Sequence, residues 1–188
     1  AIQFLSMRQE FCIIHSDYII EDGKPVVRLW GRTREGRSIL VLDRTFRPYF
    51  YVHFEGSADG LQQKIMELDV EGESPVSAEP LQRNILGKPA RLMVVTVTKP
   101  PSVPKFRELV KGREGVKEEY EYAIPFHKRY LIDKKLRPMG WAEVEGREVR
   151  QKAGVDVVVE ASEVKPKGLA ASAAGSGIEG VAALGIFR

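Results

Sequence analysis

The order of predicted helices and strands between residues 49 and 122 restricts the fold of this chain more than any other feature. Four stretches with the alternation and residue types of strands are separated by two stretches with helical periodicity. The strands cover residues 49–54, 76–81, 90–98 and 116–122. The first helix covers 60–68, and the second has Pro104 in its first turn, runs through Phe106, Leu109 and Val110, and is ended by Gly115. Strand, helix, strand, strand, helix, strand is the order of a split βαβ unit, so we predict a ferredoxin-like subdomain over residues 49–122.

Both predicted helices carry start signals. Asp59 and Ser102 are predicted N-caps, because a short side-chain oxygen can accept a hydrogen bond from a first-turn amide. Pro104 fits the first turn of the second helix, where no amide hydrogen is needed.

Three more strands are predicted upstream, at residues 11–20, 25–30 and 38–43. The turns between them are short and contain glycine, which favours an antiparallel meander. The predicted fold class is therefore α+β: an antiparallel β meander plus a ferredoxin-like βαββαβ subdomain. Residues 1–140 form the main predicted domain. Residues 141–169 are predicted to add strands, and the Ala-, Gly- and Ser-rich residues 170–188 to form a flexible linker with a terminal strand.

Composition excludes several classes of protein. Hydrophobic residues make up 43% of the 188 positions and charged residues 29%, which is typical of a globular chain. Cys12 is the single cysteine, and the three histidines show no ligand spacing, so neither a disulfide nor a metal site is predicted. No cofactor is predicted either. The net charge of +3 permits nucleic-acid binding without requiring it.

No apolar run approaches the length that spans a membrane, and the first six residues are too short for a signal peptide. We therefore expect a cytoplasmic, nucleoid-associated protein. A phosphate loop, a nucleophile elbow and a histidine–carboxylate metal pattern are all missing from the sequence, which favours binding over catalysis.

Three motifs in register resemble the N-terminal domain of archaeal family B DNA polymerases. They are DRTFRPY at residues 43–49, LGKP at 86–89 and PFHKRYLID at 125–133. The resemblance covers about residues 13–140. In that family a strand with an Asp-x-Glu metal pair opens the exonuclease that follows, but residues 183–188 here carry no carboxylate. We therefore expect no exonuclease chemistry in this chain, and it also lacks the polymerase palm.

The resemblance further implies a pocket that captures uracil or hypoxanthine in template DNA. The matching positions are Tyr18, Pro48, Tyr49, Pro100, Val103, Ile124, Phe126 and Arg129. Ala123 departs from the pattern, because the family usually has Asp there. Taken singly, such residues are ordinary core, turn or surface residues, and only their joint match favours a functional interpretation.

The residue types suit a pocket for a flipped base. Pro48, Val103 and Phe126 offer apolar walls, and backbone groups near Tyr49 and Ile124 can pair with the alternating edge of uracil. Cytosine would leave groups unpaired, at about 1–3 kcal/mol each. Tyr18 with Pro48 is the candidate wall against the methyl group of thymine, and Arg129 is assigned to brace Tyr18.

Three functions remain in competition. The first is non-catalytic binding of single-stranded DNA that contains uracil or hypoxanthine, in contact with replication or repair proteins. The second is a structural, template-contacting part of a replicative DNA polymerase. The third is an RNA-binding module, which the absence of aromatic residues from 90–98 disfavours. Candidate phosphate contacts are Lys88, Lys105, Arg107 and Lys128.

Overall fold

The computed structural model describes residues 6–85, 87–121, 123–151 and 153–168. Within these ranges the strands are β1 (Met7–Glu21), β2 (Lys24–Thr33), β3 (Ser38–Asp43), β4 (Tyr49–Phe54), β5 (Ser77–Ile85), β6 (Lys88–Thr96), β7 (Val116–Tyr120), β8 (Trp141–Glu148) and β9 (Val157–Pro166). The helices are α1 (Ala58–Met66), α2 (Val103–Val110) and α3 (Phe126–Asp133), and a 3-10 turn covers Pro100–Ser102.

The chain divides into two compact units. The barrel unit takes the chain up to Asp17, Val27–Arg44 and the chain from His127 onward, and the sheet unit takes Tyr18–Val26 and Thr45–Phe126. The N-terminal strands therefore contribute to both units.

The barrel unit is a closed five-stranded barrel with the strand order β1-β2-β3-β9-β8. β8 pairs antiparallel with β1 and with β9, whereas β9 pairs parallel with β3. The core holds fully buried apolar side chains from every strand, including Phe11, Leu29, Val41, Val144 and Val159. Leu29 of β2 alternates with more exposed neighbours, whereas β3 is buried on both faces from Ile39 to Asp43.

Two glycines allow the barrel strands to pass close to each other. A Cβ atom at Gly31 would overlap the carbonyl oxygen of Cys12, and one at Gly146 would overlap that of Glu160. A larger residue at either place would push the backbones apart.

The chain after residue 141 forms two strands, β8 and β9, and these two strands complete the barrel.

The sheet unit has the predicted element order β4-α1-β5-β6-α2-β7. Its four strands are antiparallel in the order β5-β6-β4-β7. Phe50, Val52 and Phe54 of β4 enter one core with apolar side chains of both helices, among them Ile65 and Phe106. Both helices therefore cover the same face of the sheet.

Of the two predicted helix caps, Asp59 is wrong, whereas Ser102 occupies the predicted position without making the capping bond. Helix α1 is capped by Ser57, whose Oγ accepts a hydrogen bond from the Gly60 amide at 3.2 Å, so Asp59 lies inside the first turn. Ser102 stands at the N-cap position of α2, but its side chain makes no capping bond. Its hydroxyl donates instead to Glu73 Oε2 at 2.9 Å.

Some predictions fall on positions outside the described ranges. These include Tyr122, at the end of the last predicted strand, and the linker and terminal strand predicted over 170–188. The boundaries predicted for the domains remain predictions.

Candidate nucleic-acid interface

Five aromatic side chains of the sheet unit form a continuous series of ring contacts. We call Tyr18, Phe46, Tyr49, Tyr51 and Phe126 the aromatic cluster. Tyr18 meets Phe126 edge-on with ring centroids 5.2 Å apart, and Phe126 lies 5.3 Å from Phe46. Phe46 then contacts Tyr49 at 6.5 Å, and Tyr49 contacts Tyr51 at 5.4 Å. Three of these four contacts are edge-to-face and the Phe46–Phe126 contact is tilted. Aromatic pairs in favourable geometry each add about 0.5–1.5 kcal/mol beyond burial, so the contacts stabilise the cluster.

The cluster is assembled from four separate parts of the chain. Tyr18 comes from β1, Phe46 from the segment between β3 and β4, Tyr49 and Tyr51 from β4, and Phe126 from the first position of α3. Three of the predicted pocket residues, Tyr18, Tyr49 and Phe126, are therefore brought together. Phe46 was missed by the sequence reasoning, although it lies inside the DRTFRPY motif, two residues before Pro48.

Two further predicted residues lie on the 3-10 turn and α2. Pro100 is the first residue of the turn, and Val103 begins α2 and is buried in the sheet-unit core. The carbonyl of Pro48 accepts a hydrogen bond from the Val97 amide at 2.9 Å, so Pro48 lies beside the end of β6 that leads into this turn. Val103 therefore packs as a core residue, whereas Pro100 remains partly exposed.

Glu73 anchors the same turn. Its carboxylate accepts the Ser102 hydroxyl and forms an ion pair with Lys99. The Lys99 ammonium, with a smaller contribution from the Ser102 hydroxyl, holds the pKa of Glu73 below its usual value. Lys99 directly precedes the turn and Ser102 is its last residue, so the two bonds to Glu73 restrict the position of Pro100 between them.

The last two predicted pocket residues, Ile124 and Arg129, belong to different compact units. Ile124 is half-buried and belongs to the sheet unit. Arg129 belongs to the barrel unit, where it is 6% exposed on α3 and pairs with Asp133 at 3.8 Å. Its assignment to the pocket stays a prediction.

The next residue of α3 ties that helix to the barrel. Tyr130 is fully buried, and its hydroxyl donates to Asp43 Oδ2 at 2.8 Å. Burial, together with the charge of Asp43, raises the pKa of Tyr130 far above its usual value, so the hydroxyl remains a donor. Asp43 opens the first recognised motif and Tyr130 lies in the third. Part of the motif pattern therefore serves the fold.

The four predicted phosphate contacts differ in their surroundings. Lys105 pairs with Glu71 at 2.6 Å, and the largely covered guanidinium of Arg107 pairs with Glu108 at 3.1 Å. Lys88 and Lys128 are exposed, and within the described ranges no ion pair joins either to an acid. Lys88 and Lys128 are thus better placed for phosphate than Lys105 and Arg107.

The structure also contains a cavity of about 270 Å³ elsewhere in the sheet unit. It is lined by Phe54, Pro80, Leu81, Gln82 and Arg91, none of which is a predicted pocket residue. Among the residues with described positions, no group of three His, Cys, Asp or Glu side chains could hold a metal ion. No helix in the same part of the chain is long and apolar enough to cross a membrane.

Known DNA polymerases match this chain in sequence. The family model described as DNA polymerase family B, exonuclease domain, matches residues 117–172. A DNA polymerase of Thermococcus kodakarensis is 38% identical over 131 residues, which are 68% of this chain and 8% of that protein. DNA polymerase 2 of Aeropyrum pernix is 36% identical over 149 residues, which are 78% of this chain and 19% of that protein.

The fold matches a family B polymerase as well. The structure of the family B DNA polymerase from the hyperthermophilic archaeon Pyrobaculum calidifontis aligns with a TM-score of 0.74 and 30% identity, covering 86% of this chain and 21% of that one. The strand-dominated α+β fold is therefore of the kind found in family B polymerases. The chain is a relative of the archaeal family B DNA polymerases, and it spans less than a fifth of the length of the two curated relatives above.

Proposed function

We propose that this chain is a template-contacting part of a family B DNA polymerase and that its ligand is single-stranded DNA. The observation that carries the proposal is the joint match in sequence and structure to family B polymerases over most of the chain. The exposed cations Lys88 and Lys128 support it, because phosphate contacts supply most of the sequence-independent affinity for DNA.

Fluorescence anisotropy with a labelled, uracil-free oligonucleotide tests this function. We expect the single strand to bind more tightly than a duplex of the same sequence, and its affinity to fall steeply as salt rises. Replacing both Lys88 and Lys128 by Gln is expected to lower the salt slope by about 1–2. Absence of binding to any DNA at low salt would refute the proposal.

The proposed role is binding without catalysis. Incubating an end-labelled single strand with the chain and Mg²⁺ is expected to leave the strand at full length. Progressive shortening that EDTA prevents would contradict a purely binding role.

A second, finer function is the capture of a deaminated base. The aromatic cluster favours it, because three predicted pocket residues meet there and an unstacked base can be held against aromatic rings. In this function the backbone beside Tyr49 and Ile124 pairs with the edge of uracil, and the ring of Tyr18 excludes the methyl group of thymine.

Oligonucleotides that differ at one base distinguish the two functions. Base capture predicts tighter binding of the uracil strand than of the cytosine or thymine strand by about 5- to 150-fold, since each unpaired polar group costs about 1–3 kcal/mol. Replacing the buried Val103 by Gln is expected to remove the preference for the uracil strand. Val103→Leu is the control for altered packing and is expected to keep that preference. Equal binding of all three strands by the unmodified chain would refute base capture and leave template contact intact.

A further inference from the structure

The register of the sheet unit defines a second face, opposite the helices. Tyr51 stands directly between Val94 of β6 and Tyr120 of β7, and His53 stands between Leu92 and Glu118. Directly opposed residues of antiparallel strands share a face, and the side chains of Phe50, Val52 and Phe54 point to the helices. The face away from the helices therefore carries Tyr49, Tyr51, His53 and Tyr120.

Planar side chains dominate the middle of this face. The rings of His53 and Tyr120 are stacked, with centroids 6.4 Å apart and an interplanar angle of 28°. Tyr51 lies on the same strand as His53 and opposite Tyr120, and all three are partly exposed. The Tyr120 hydroxyl donates to Glu118, which holds the Tyr120 ring in place.

The strand order changes the argument that disfavoured a stacking platform. That argument considered residues 90–98, which form most of β6 and carry no aromatic side chain. The order β5-β6-β4-β7 makes β4 a central strand as well, and β4 supplies Tyr49, Tyr51 and His53. The planar side chains of β4 therefore offer a place for a base that β6 does not.

Two cations extend the same face beyond the aromatic side chains. The β5–β6 register pairs Glu79 with Val94 and Arg83 with Ala90, so Arg83 shares the face of Tyr51. Lys88 shares it too, opposite Ile85. Glu79 pairs with Val94, which in turn pairs with Tyr51, so Arg83 stands four residues, or about 13–14 Å, along β5 from the level of Tyr51.

The charge on this face is not uniform. Glu79 and Glu118 lie among the aromatic side chains, whereas Arg83 and Lys88 lie together at the end of the hairpin. Both cations are exposed, and the described part of the chain contains no ion pair to either. An anionic backbone is therefore favoured at the hairpin end and planar uncharged groups at the other.

We propose that the face of the sheet opposite the helices is a second binding surface for single-stranded nucleic acid, with unpaired bases stacking on Tyr51, His53 and Tyr120 and the backbone following Arg83 and Lys88. Both this proposal and the proposed function have a single-stranded nucleic acid as ligand. Binding at this surface does not depend on the pocket for a deaminated base. A duplex keeps its bases stacked inside, so it cannot use the rings.

The test measures binding of uracil-free oligodeoxythymidine and oligocytidine RNA to the full chain. Tyr51→Ala is expected to weaken binding of the single strand by about 5- to 150-fold, the usual loss for one stacked base. Tyr51→Phe keeps the ring and is expected to bind within about 2-fold of the unmodified chain. Circular dichroism and thermal unfolding establish that each variant is folded.

Charge variants test the second half of the surface. Replacing Arg83 and Lys88 together by Gln is expected to reduce the salt slope, whereas Lys64→Gln on α1, on the helix side, serves as the matched control. Stronger binding of DNA or of RNA by the unmodified chain identifies the natural strand. Should Tyr51→Ala and the double variant both bind normally, the surface assignment is overturned.

The same variants separate this surface from the base pocket. If Val103→Gln removes a preference for uracil while Tyr51→Ala leaves that preference and lowers affinity for every strand, both sites exist. If Tyr51→Ala lowers only the uracil preference, Tyr51 acts through the pocket and the second surface is refuted.

Discussion

At the residue scale, Phe46 is the ring that joins the two ends of the aromatic cluster, because it contacts both Phe126 and Tyr49. Tyr18, Tyr49 and Phe126 were predicted as pocket residues, whereas Phe46 was not. Sequence spacing cannot show which side chain of a connecting segment turns inward, so Phe46 carried no signal beyond its motif. Val103 packs in the core of the sheet unit.

The buried pair of Tyr130 and Asp43 gives a residue-scale prediction. Tyr130→Phe leaves the buried carboxylate with one donor fewer, so the free energy of unfolding is expected to fall by about 1–3 kcal/mol. Urea unfolding, monitored by circular dichroism, measures this fall in the free energy of unfolding. Tyr120→Phe is the matched control, because its hydroxyl bonds to an exposed carboxylate, and a loss as large there would contradict the explanation.

At the element scale, β3 and β4 are the strands that have their predicted bounds. β3 is a continuous apolar run that is buried along most of its length, and the buried–exposed alternation of β4 is visible in the sequence. The β5–β6 hairpin extends further than predicted, since Gln82, Arg83 and Asn84 pair through their backbones without apolar side chains. Backbone hydrogen bonds hold such a segment in place, and these leave no hydrophobic pattern to read.

The strands of the barrel are also joined by charge, which gives a prediction about pH. Glu160 of β9 accepts bonds from Arg147 of β8 and from Arg44, which follows β3, and Arg147 has the larger effect in lowering the pKa of Glu160 below 4.5. Because the pKa is lower in the folded chain, the stabilisation is full above about pH 4.5 and is lost as the pH falls through the lowered value.

Glu160→Gln tests that expectation. At pH 7 the variant is expected to lose up to about 1 kcal/mol of unfolding free energy, a modest figure because the partners are partly exposed. The difference from the unmodified chain should shrink when urea unfolding is repeated below pH 4.5. Glu163→Gln, a more exposed position on the same strand, is the control, and a constant difference at all pH values would contradict the assignment.

At the scale of the whole molecule, the fold class and the relationship to family B polymerases were accessible from sequence, because three motifs and the order of elements agree. The closure of the barrel was not. It depends on pairing between the first strands and the last, and neither periodicity nor turn signals contain information about contacts so far apart in sequence.

A shortened chain tests the barrel as a unit. A fragment of residues 1–140 lacks β8 and β9, which pair with β1 and β3. We expect this fragment to lose the cooperative unfolding of the barrel and to expose apolar surface, measured as binding of the dye ANS. A fragment with native-like cooperativity would show that the barrel strands are stable without closure.

The parallel pairing of β3 with β9 also affects the order in which the chain folds during translation. Ser38 and Asp156, which are bonded at the start of this ladder, are 118 positions apart. One edge of β3 stays unpaired until β9 has been translated, whereas β4 to β7 can associate as soon as residue 120 emerges. Long-range pairings of this kind form slowly. The nascent chain is therefore expected to complete its sheet unit first and to be most vulnerable to aggregation through β3 until β9 has emerged from the ribosome.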